Sequence, residues 1–186
     1  MDAVFPCPKR IAMYYTCQYQ SPIGDLTLAS DGNALTGLWI KDQKHFAEHH
    51  ADPIFAPELP IFRDVTYWLD QYFEGNFLPA DQLPLKPIGT MFQQQVWNIL
   101  RHLPQKQTLT YGQIAKQLGT PGAAQAVGAA VGRNPISIII PCHRVLGAGG
   151  KLTGYAGGIQ AKTWLLKHEG ILQNEELQHY STGIPL

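Results

Sequence analysis

The sequence predicts a mixed α/β (α+β) protein: a small sheet domain over residues 1–85, then a mostly helical domain over 86–186 carrying a helix-turn-helix. Three observations predict this. Residues 12–40 hold short apolar stretches separated by turn chemistry, as a strand meander does. Residues 76–89 contain Pro79, Pro84 and Pro87 and read as a linker. Beyond the linker, two Thr-initiated capping boxes each precede apolar residues at helical spacing.

The elements follow in order. Ile11 to Tyr19 is rich in Tyr, Thr and Met and reads as a strand. Ser21-Pro22-Ile23-Gly24 and Asp31-Gly32-Asn33 are turns, with short strands at Asp25–Ala29 and Leu35–Ile40. Phe62, Val65, Leu69 and Tyr72 recur at helical spacing, and Gly75 can end that helix. Thr90-Met91-Phe92-Gln93 caps a helix whose apolar face is Phe92, Val96, Ile99 and Leu103. Thr110-Tyr111-Gly112-Gln113 caps another, carrying Ile114 and Leu118 and stopping at Gly119. Thr120-Pro121-Gly122 turns into a helix from Ala123 to Val131 that ends at Gly132. Ile138-Ile139-Ile140 reads as a buried strand end, and Pro141 cannot continue a central strand. Cys142 is therefore expected, exposed, where the chain leaves the sheet. Ile159 to His168 is a last helix, before Gly170.

Composition excludes several classes. The 186 residues, 45% hydrophobic, suit one compact domain or two small ones. No apolar run reaches the ~18 residues of a membrane span, and no signal-peptide pattern opens the chain. Three cysteines, Cys7, Cys17 and Cys142, form no CxxC pair and leave an unpaired thiol, which fits a reduced, cytoplasmic compartment. Residues 1–85 carry 5 Lys+Arg against 11 Asp+Glu, and residues 86–186 carry 9 against 3. No acid lies between Asp81 and Glu169. That pattern suits an acidic support domain joined to a basic half that meets an anionic partner, with nucleic acid the obvious candidate. In the helix after Pro121, Ala123-Ala124-Gln125-Ala126-Val127-Gly128-Ala129-Ala130 offers few long polar side chains to base edges. It suits a minor groove or sequence-independent docking; the same alanines would also serve tight packing in a core.

Cys142 carries the chemistry. A free thiol has a pKa of ~8.5, so a base or a positive field must raise its thiolate fraction at neutral pH. His143 is adjacent, but neighbouring side chains on extended chain point apart, so a bridging water is expected to carry the proton. Glu169, the one carboxylate of the basic half before the tail, is the candidate to orient the imidazole. Asn134-Pro135 reads as a turn, or Asn134 bonds the backbone around Cys142. Glycines at 147, 149, 150, 154, 157 and 158 let a loop fold closely round a flat ligand, with Tyr155 a wall for a base or a packing residue. A Cys-His-carboxylate set also fits a cysteine hydrolase, although immediate Cys-His adjacency argues against it.

Residues 90–170 resemble the O6-alkylguanine-DNA alkyltransferase family. The resemblance rests on Gly89-Thr90-Met91-Phe92-Gln93, Val96-Trp97, Tyr111, Ala126-Val127-Gly128 and Asn134-Pro135. Ile140-Pro141-Cys142-His143-Arg144-Val145, Gly154-Tyr155, Lys162 and Glu169-Gly170 complete it. Ser21-Pro22-Ile23-Gly24 carries a weaker likeness to the family's ribonuclease-H-like domain. The resemblance implies irreversible transfer of an alkyl group from O6-alkylguanine to Cys142 after base flipping, in a single turnover without cofactor. O4-alkylthymine is a further implied substrate, and double-stranded DNA the implied partner of a monomer.

The resemblance also implies roles. His143 is the base through water, Glu169 orients it and Asn134 buttresses the turn. Tyr111 presses the backbone during flipping and bonds the purine N3. The Cys142 and Val145 carbonyls accept from the exocyclic amine, and Tyr155 and the Ala156 N–H line the pocket. Ala124 and Gly128 face DNA, and Arg133 meets phosphate. Gln125 stands where the family usually has arginine, which predicts weaker duplex binding or slower repair. Some members bind zinc in the N-terminal half, but Cys7, Cys17 and the histidines lack ligand spacing, so no metal is expected. Two other readings are a non-repairing alkylguanine sensor, opposed by Cys142, and an alkyltransferase-linked regulator, for which the chain is too short.

Overall fold

The computed structural model describes residues 14–48, 50 and 52–172, so Cys7 lies outside the described residues, as does the start of the first expected strand, Ile11 to Met13. The described residues open with β1 (Tyr14–Ser21), β2 (Gly24–Ser30) and β3 (Leu35–Ile40), an antiparallel meander. Ser21 and Gly24 pair across the first turn, where the Ser21 hydroxyl donates to the Gly24 carbonyl at 2.6 Å. At the second, the Asp31 carboxylate accepts the Asn33 and Ala34 N–H groups, the local bonding that makes Asp a turn residue. A short strand, β4 (Pro53–Phe55), adds parallel to β1, giving the order β3-β2-β1-β4.

Helix α1 (Pro60–Phe73) buries Phe62, Val65, Leu69 and Tyr72, the residues its periodicity singled out. It ends in a Schellman motif: Asn76 N–H bonds Gln71 O and Gly75 N–H bonds Tyr72 O, with Gly75 at φ +89°. The proline-bearing stretch after it is pinned rather than loose. Leu35 N–H donates to Pro84 O, Lys86 N–H donates to Leu35 O, and Leu83 is buried.

Both capping boxes form, heading α2 (Met91–Arg101) and α3 (Tyr111–Gln117). The buried stripe of α2 is Val96, Trp97 and Leu100, one step round from the expected face, because Trp97 Nε1 donates to Ala130 O at 2.8 Å and draws the helix onto α4 (Ala124–Gly132). The α3–turn–α4 pair is the expected helix-turn-helix. A two-residue parallel ladder joins β5 (Leu109–Thr110) to β6 (Val145–Leu146), and α5 (Ile159–His168) closes the described chain.

One apolar cluster runs through both halves, from Leu26, Leu28 and Leu38 through Phe62 and Leu69 to Val96, Ile114, Ile140 and Leu165. The halves are also stitched by backbone: Leu38 N–H donates to Pro135 O at 2.8 Å and Ser137 N–H to Leu38 O at 2.9 Å. No described helix is long and apolar enough to cross a membrane.

Candidate active site

The segment before the thiol is not a strand. Beyond the single Leu38–Ile136 bridge, the chain makes two three-residue turns in succession. Ile139 N–H bonds Ser137 O at 2.8 Å around Ile138, whose φ is +70°. Cys142 N–H then bonds Ile140 O at 2.7 Å around Pro141, at φ −79° and ψ 64°, an inverse γ-turn. A β-branched residue at positive φ is strained by about 1–3 kcal/mol and persists only where its surroundings hold it. Asn134 is that holder. Its Nδ2 donates to Ile140 O at 2.8 Å and reaches Ile136 O at 3.3 Å and Cys142 Sγ at 3.0 Å, while its Oδ1 accepts Ile136 N–H. Cys142 therefore opens a 3₁₀ turn (Cys142–Arg144) and is 3% exposed, not exposed at a strand end. The apolar run turns back into the core, so the sulfur is covered.

The same 3₁₀ turn sends His143 and Arg144 into the interior, both against Glu169 at the C-terminal end of α5. His143 Nε2 lies 2.8 Å from Glu169 Oε1. Arg144 forks onto the carboxylate, Nε to Oε2 at 2.6 Å and a terminal nitrogen to Oε1 at 2.9 Å. Tyr72 of α1 donates its hydroxyl to Oε1 at 2.7 Å. Burial would raise the Glu169 carboxyl, but the cationic and hydrogen-bonding neighbours His143 and Arg144 outweigh it and hold it at about 2. Burial lowers His143, and Glu169 only partly offsets this. Arg144 already balances the carboxylate, so the direction that holds is an ionised Glu169 beside a neutral imidazole. An ionised carboxylate accepts and cannot donate, so Nε2 carries the proton. Nδ1 is left as a lone pair; it is buried and has no hydrogen-bond partner among the described residues. That is the arrangement of a base waiting for a proton.

Burial likewise raises the Cys142 thiol, with Asn134, the Lys162 charge and Tyr155 pulling it back. Lys162 supplies the positive field. It is fully buried on α5, donates to Val145 O at 2.6 Å and Thr153 O at 3.2 Å, and burial lowers it to about 8. Of the carbonyls expected to meet a guanine amine, Val145 O thus already accepts from Lys162, and Cys142 O accepts from Val145 N–H. Each keeps a second lone pair. The Tyr155 hydroxyl is buried and makes no hydrogen bond among the described residues. The Ala156 carbonyl is held by Lys44 N–H at 3.2 Å. Tyr111 packs over Gly128, with its hydroxyl 3.0 Å from Thr153 Oγ1.

On α4, Ala124 and Gly128 are half-buried and Gln125, Ala126 and Ala129 are exposed, so the helix shows solvent mostly small residues. No side chain caps its N-terminus. Arg133 is exposed just past the helix, 3.8 Å from Glu48 of the N-terminal half.

The fold thus brings Cys142 onto Asn134 and His143 onto Glu169, and links Val145 to Tyr111 through Lys162 and Thr153, while Gln125 and Arg133 are exposed. Sequence reasoning assigns no role to Arg144 and Lys162, which enter only with the resemblance, or to the hydroxyl of Tyr72, and it does not single out Ser137 and Gln43. Lys162 had a signal: with Leu165, Leu166 and Glu169 it falls at i, i+3, i+4, i+7, so a lysine and a glutamate share the apolar face of α5.

Comparison with known proteins agrees with this geometry. Residues 13–87 match the family model described as 6-O-methylguanine DNA methyltransferase, ribonuclease-like domain, and residues 91–171 match its DNA binding domain. A methylated-DNA–protein-cysteine methyltransferase of Haemophilus influenzae is 44% identical over 86% of this chain and 88% of that protein. One from Methanosarcina acetivorans is 45% identical over 85% and 99%. The crystal structure of Mycobacterium tuberculosis OGT in complex with DNA superposes with a TM-score of 0.72 at 44% identity, covering 88% of this chain and 96% of that one. With a buried Cys-His-Glu set on this two-part fold and such relatives along most of its length, the chain belongs to the 6-O-methylguanine DNA methyltransferase family.

Proposed function

We propose that this protein repairs double-stranded DNA by moving the alkyl group of an O6-alkylguanine onto Cys142, once per molecule. The observation that carries the reading is the paired placement of the Cys142 sulfur on Asn134 and of His143 on Glu169, with the Nδ1 lone pair unspent. Residues 86–186 form the DNA-binding and alkyl-acceptor domain, and residues 1–85 support it. The protein acts as a cytoplasmic monomer.

The sulfur is covered, and a guanine inside a duplex is unreachable, so the base is flipped into the pocket. α4 approaches the minor groove through Ala124 and Gly128, which makes docking largely independent of sequence. Arg133 contacts phosphate, Tyr111 presses the backbone, and Gln125 fills the space left in the stack. In the pocket the Cys142 and Val145 carbonyls accept from the exocyclic amine, Tyr111 bonds N3, and Tyr155 with the Ala156 N–H bonds the O6 region. The thiol proton passes through a water to His143 Nδ1, and Glu169 stabilises the imidazolium. The C–S bond forms as the C–O6 bond breaks, and the guanine leaves with the electron pair and takes back a proton. The thioether is not hydrolysed, so the molecule is spent.

The test is a duplex carrying labelled O6-methylguanine. Stable label on Cys142 at one equivalent, with none on Cys142→Ser, is expected. Transfer beyond one equivalent, or none to Cys142, would overturn the reading.

A further inference from the structure

Tyr111 opens α3 and Lys162 lies on α5, and one residue of the loop before α5 bonds them both. Thr153 is half-buried. Its Oγ1 lies 3.0 Å from the Tyr111 hydroxyl, and its carbonyl accepts from Lys162 Nζ at 3.2 Å. The same ammonium donates to Val145 O at 2.6 Å. A continuous chain of hydrogen bonds therefore runs from the Tyr111 phenol through Thr153 and Lys162 to the Val145 carbonyl. The backbones at its two ends are tied as well, because β5 leads straight into Tyr111 and pairs Leu109 with Val145. The Thr153 side chain is itself seated. Its methyl Cγ2 packs so closely on Gly147 that a Cβ there would lie 2.7 Å away, and Gly147 N–H is held by Lys151 O at 2.8 Å. With that methyl in place, the stiff β-branched side chain has its hydroxyl aimed at Tyr111.

We infer that Thr153 is a positioning residue for the flipped guanine, setting the Tyr111 hydroxyl, the donor to N3, against the Val145 carbonyl, the acceptor for the exocyclic amine. The inference rests on the alkyl-acceptor reading above, in which those two groups meet the base. The amine and N3 adjoin on the minor-groove edge of guanine, one a donor and the other an acceptor. A donor and an acceptor held at one spacing by Thr153 and Lys162 match that edge. The protons set the direction of the chain. N3 offers only a lone pair and a phenol has one proton, so Tyr111 gives that proton to the base. Its oxygen is then free to accept, and the Thr153 hydroxyl donates to it. A hydroxyl that accepts one bond is polarised into a better donor of the next. Thr153→Val keeps the methyl on Gly147 and the carbonyl on Lys162, and deletes only the group that faces Tyr111.

The test is single-turnover transfer from duplexes carrying O6-methylguanine or 3-deaza-O6-methylguanine, in which C–H replaces N3, over a range of duplex concentrations. On O6-methylguanine, Thr153→Val should lower the limiting rate by about threefold to tenfold, the span of one hydrogen bond, and leave the half-saturating concentration unchanged. The 3-deaza base should slow the parent, and on that base Thr153→Val should be no slower than the parent, which a merely structural loss would not reproduce. Iodoacetamide alkylation of Cys142 without DNA should be equal in the two proteins, because the Lys162 bonds are intact. An unchanged limiting rate on O6-methylguanine, an equal slowing of Thr153→Val on both bases, or altered iodoacetamide reactivity overturns the inference and leaves transfer to Cys142 standing. A parent that transfers nothing to Cys142 overturns both.

Discussion

Replacing Glu169 by Gln removes one negative charge and one acceptor from a carboxylate that takes four hydrogen bonds. Oε1 takes His143 Nε2 at 2.8 Å, Tyr72 OH at 2.7 Å and an Arg144 nitrogen at 2.9 Å, and Oε2 takes Arg144 Nε at 2.6 Å. An amide keeps one oxygen and presents an NH₂ at the other position. One orientation sets that NH₂ against the Nε–H of Arg144, the other against three donors. Arg144 is 8% exposed, and its remaining partner is Leu103 O at 3.5 Å. Leaving a buried cation without its counter-charge costs about 3–5 kcal/mol. For a chain of this size that is a fall of about 10 °C in melting temperature. The imidazole also loses its anionic acceptor, and label transfer from O6-methylguanine duplex should slow about a hundredfold. pH gives a further signature. The folded carboxyl sits at about 2, below its ordinary value near 4.3, so its contribution is complete above that ordinary value. It is lost as pH falls toward 2. Acid unfolding of Glu169→Gln should lack that component, while Glu169→Asp retains the charge. Circular-dichroism melts at pH 7 and pH 3 with single-turnover transfer test both arms. A variant that melts within 2 °C of the parent and transfers label at the parent rate would refute the reasoning.

Further outcomes follow from the same geometry. Tyr72→Phe deletes a buried hydrogen bond to a charged group, about 1.5–3 kcal/mol, so it should melt about 3–10 °C lower yet slow transfer less than Glu169→Gln, because His143 keeps its carboxylate; equal slowing would show otherwise. Lys162→Met removes the cation that favours the Cys142 thiolate, and the pH–rate profile of transfer should move up by about one unit. Because burial holds Lys162 at about 8, below its unfolded value, the parent should gain stability as pH rises from 8 toward 10, and the variant should not. Gln125→Arg adds a charge to the exposed face of α4 and should tighten duplex binding about threefold or more at low salt; unchanged affinity and repair rate would dismiss a role for Gln125. Glu48→Gln releases Arg133 from an exposed pair worth at most about 1 kcal/mol, so duplex affinity should rise by up to about fivefold at low salt and converge with the parent at high salt in a fluorescence-anisotropy titration.

Local chemistry was legible in the sequence. Both capping boxes, the Gly75 helix end, the Ser21–Gly24 hairpin and the helix-turn-helix depend on residues within a few positions of each other, and they form as read. Ile138–Ile140 did not, because three β-branched residues carry the same pattern whether they extend or fold back. What decides the matter is Asn134, whose side chain offers that backbone a better partner than a strand would. Cys142, His143, Glu169 and Asn134 could be named because their residue types carry chemistry. Tyr72, Gln43 and Ser137 could not. Tyr72 sits at an ordinary core position of α1, and its hydroxyl meets Glu169 97 positions later in the chain. Gln43 lies in a turn where glutamine has no special meaning until Ile40 and Ser137 close on it.

Leu38, Tyr72 and Gln43 show how the acidic half meets the thiol loop. It supplies the Leu38 backbone that fixes the start of the thiol turn, Tyr72 to the Glu169 carboxylate, and Gln43 to Ser137. It also takes up charge. Lys86 pairs with Asp31 and Arg133 with Glu48, while Arg144 and Lys162 are buried. The cations of the second half that are neither buried nor in an ion pair among the described residues are therefore Arg101, Lys106, Lys116, Lys151 and Lys167, fewer than the nine counted along the chain. Glu169 lies buried under Arg144, so residues 86–172 present cations to solvent and no carboxylate. The acid-free stretch from Asp81 to Glu169 has two consequences: a surface that does not repel phosphate, and an interior in which one carboxylate serves the imidazole and the guanidinium together.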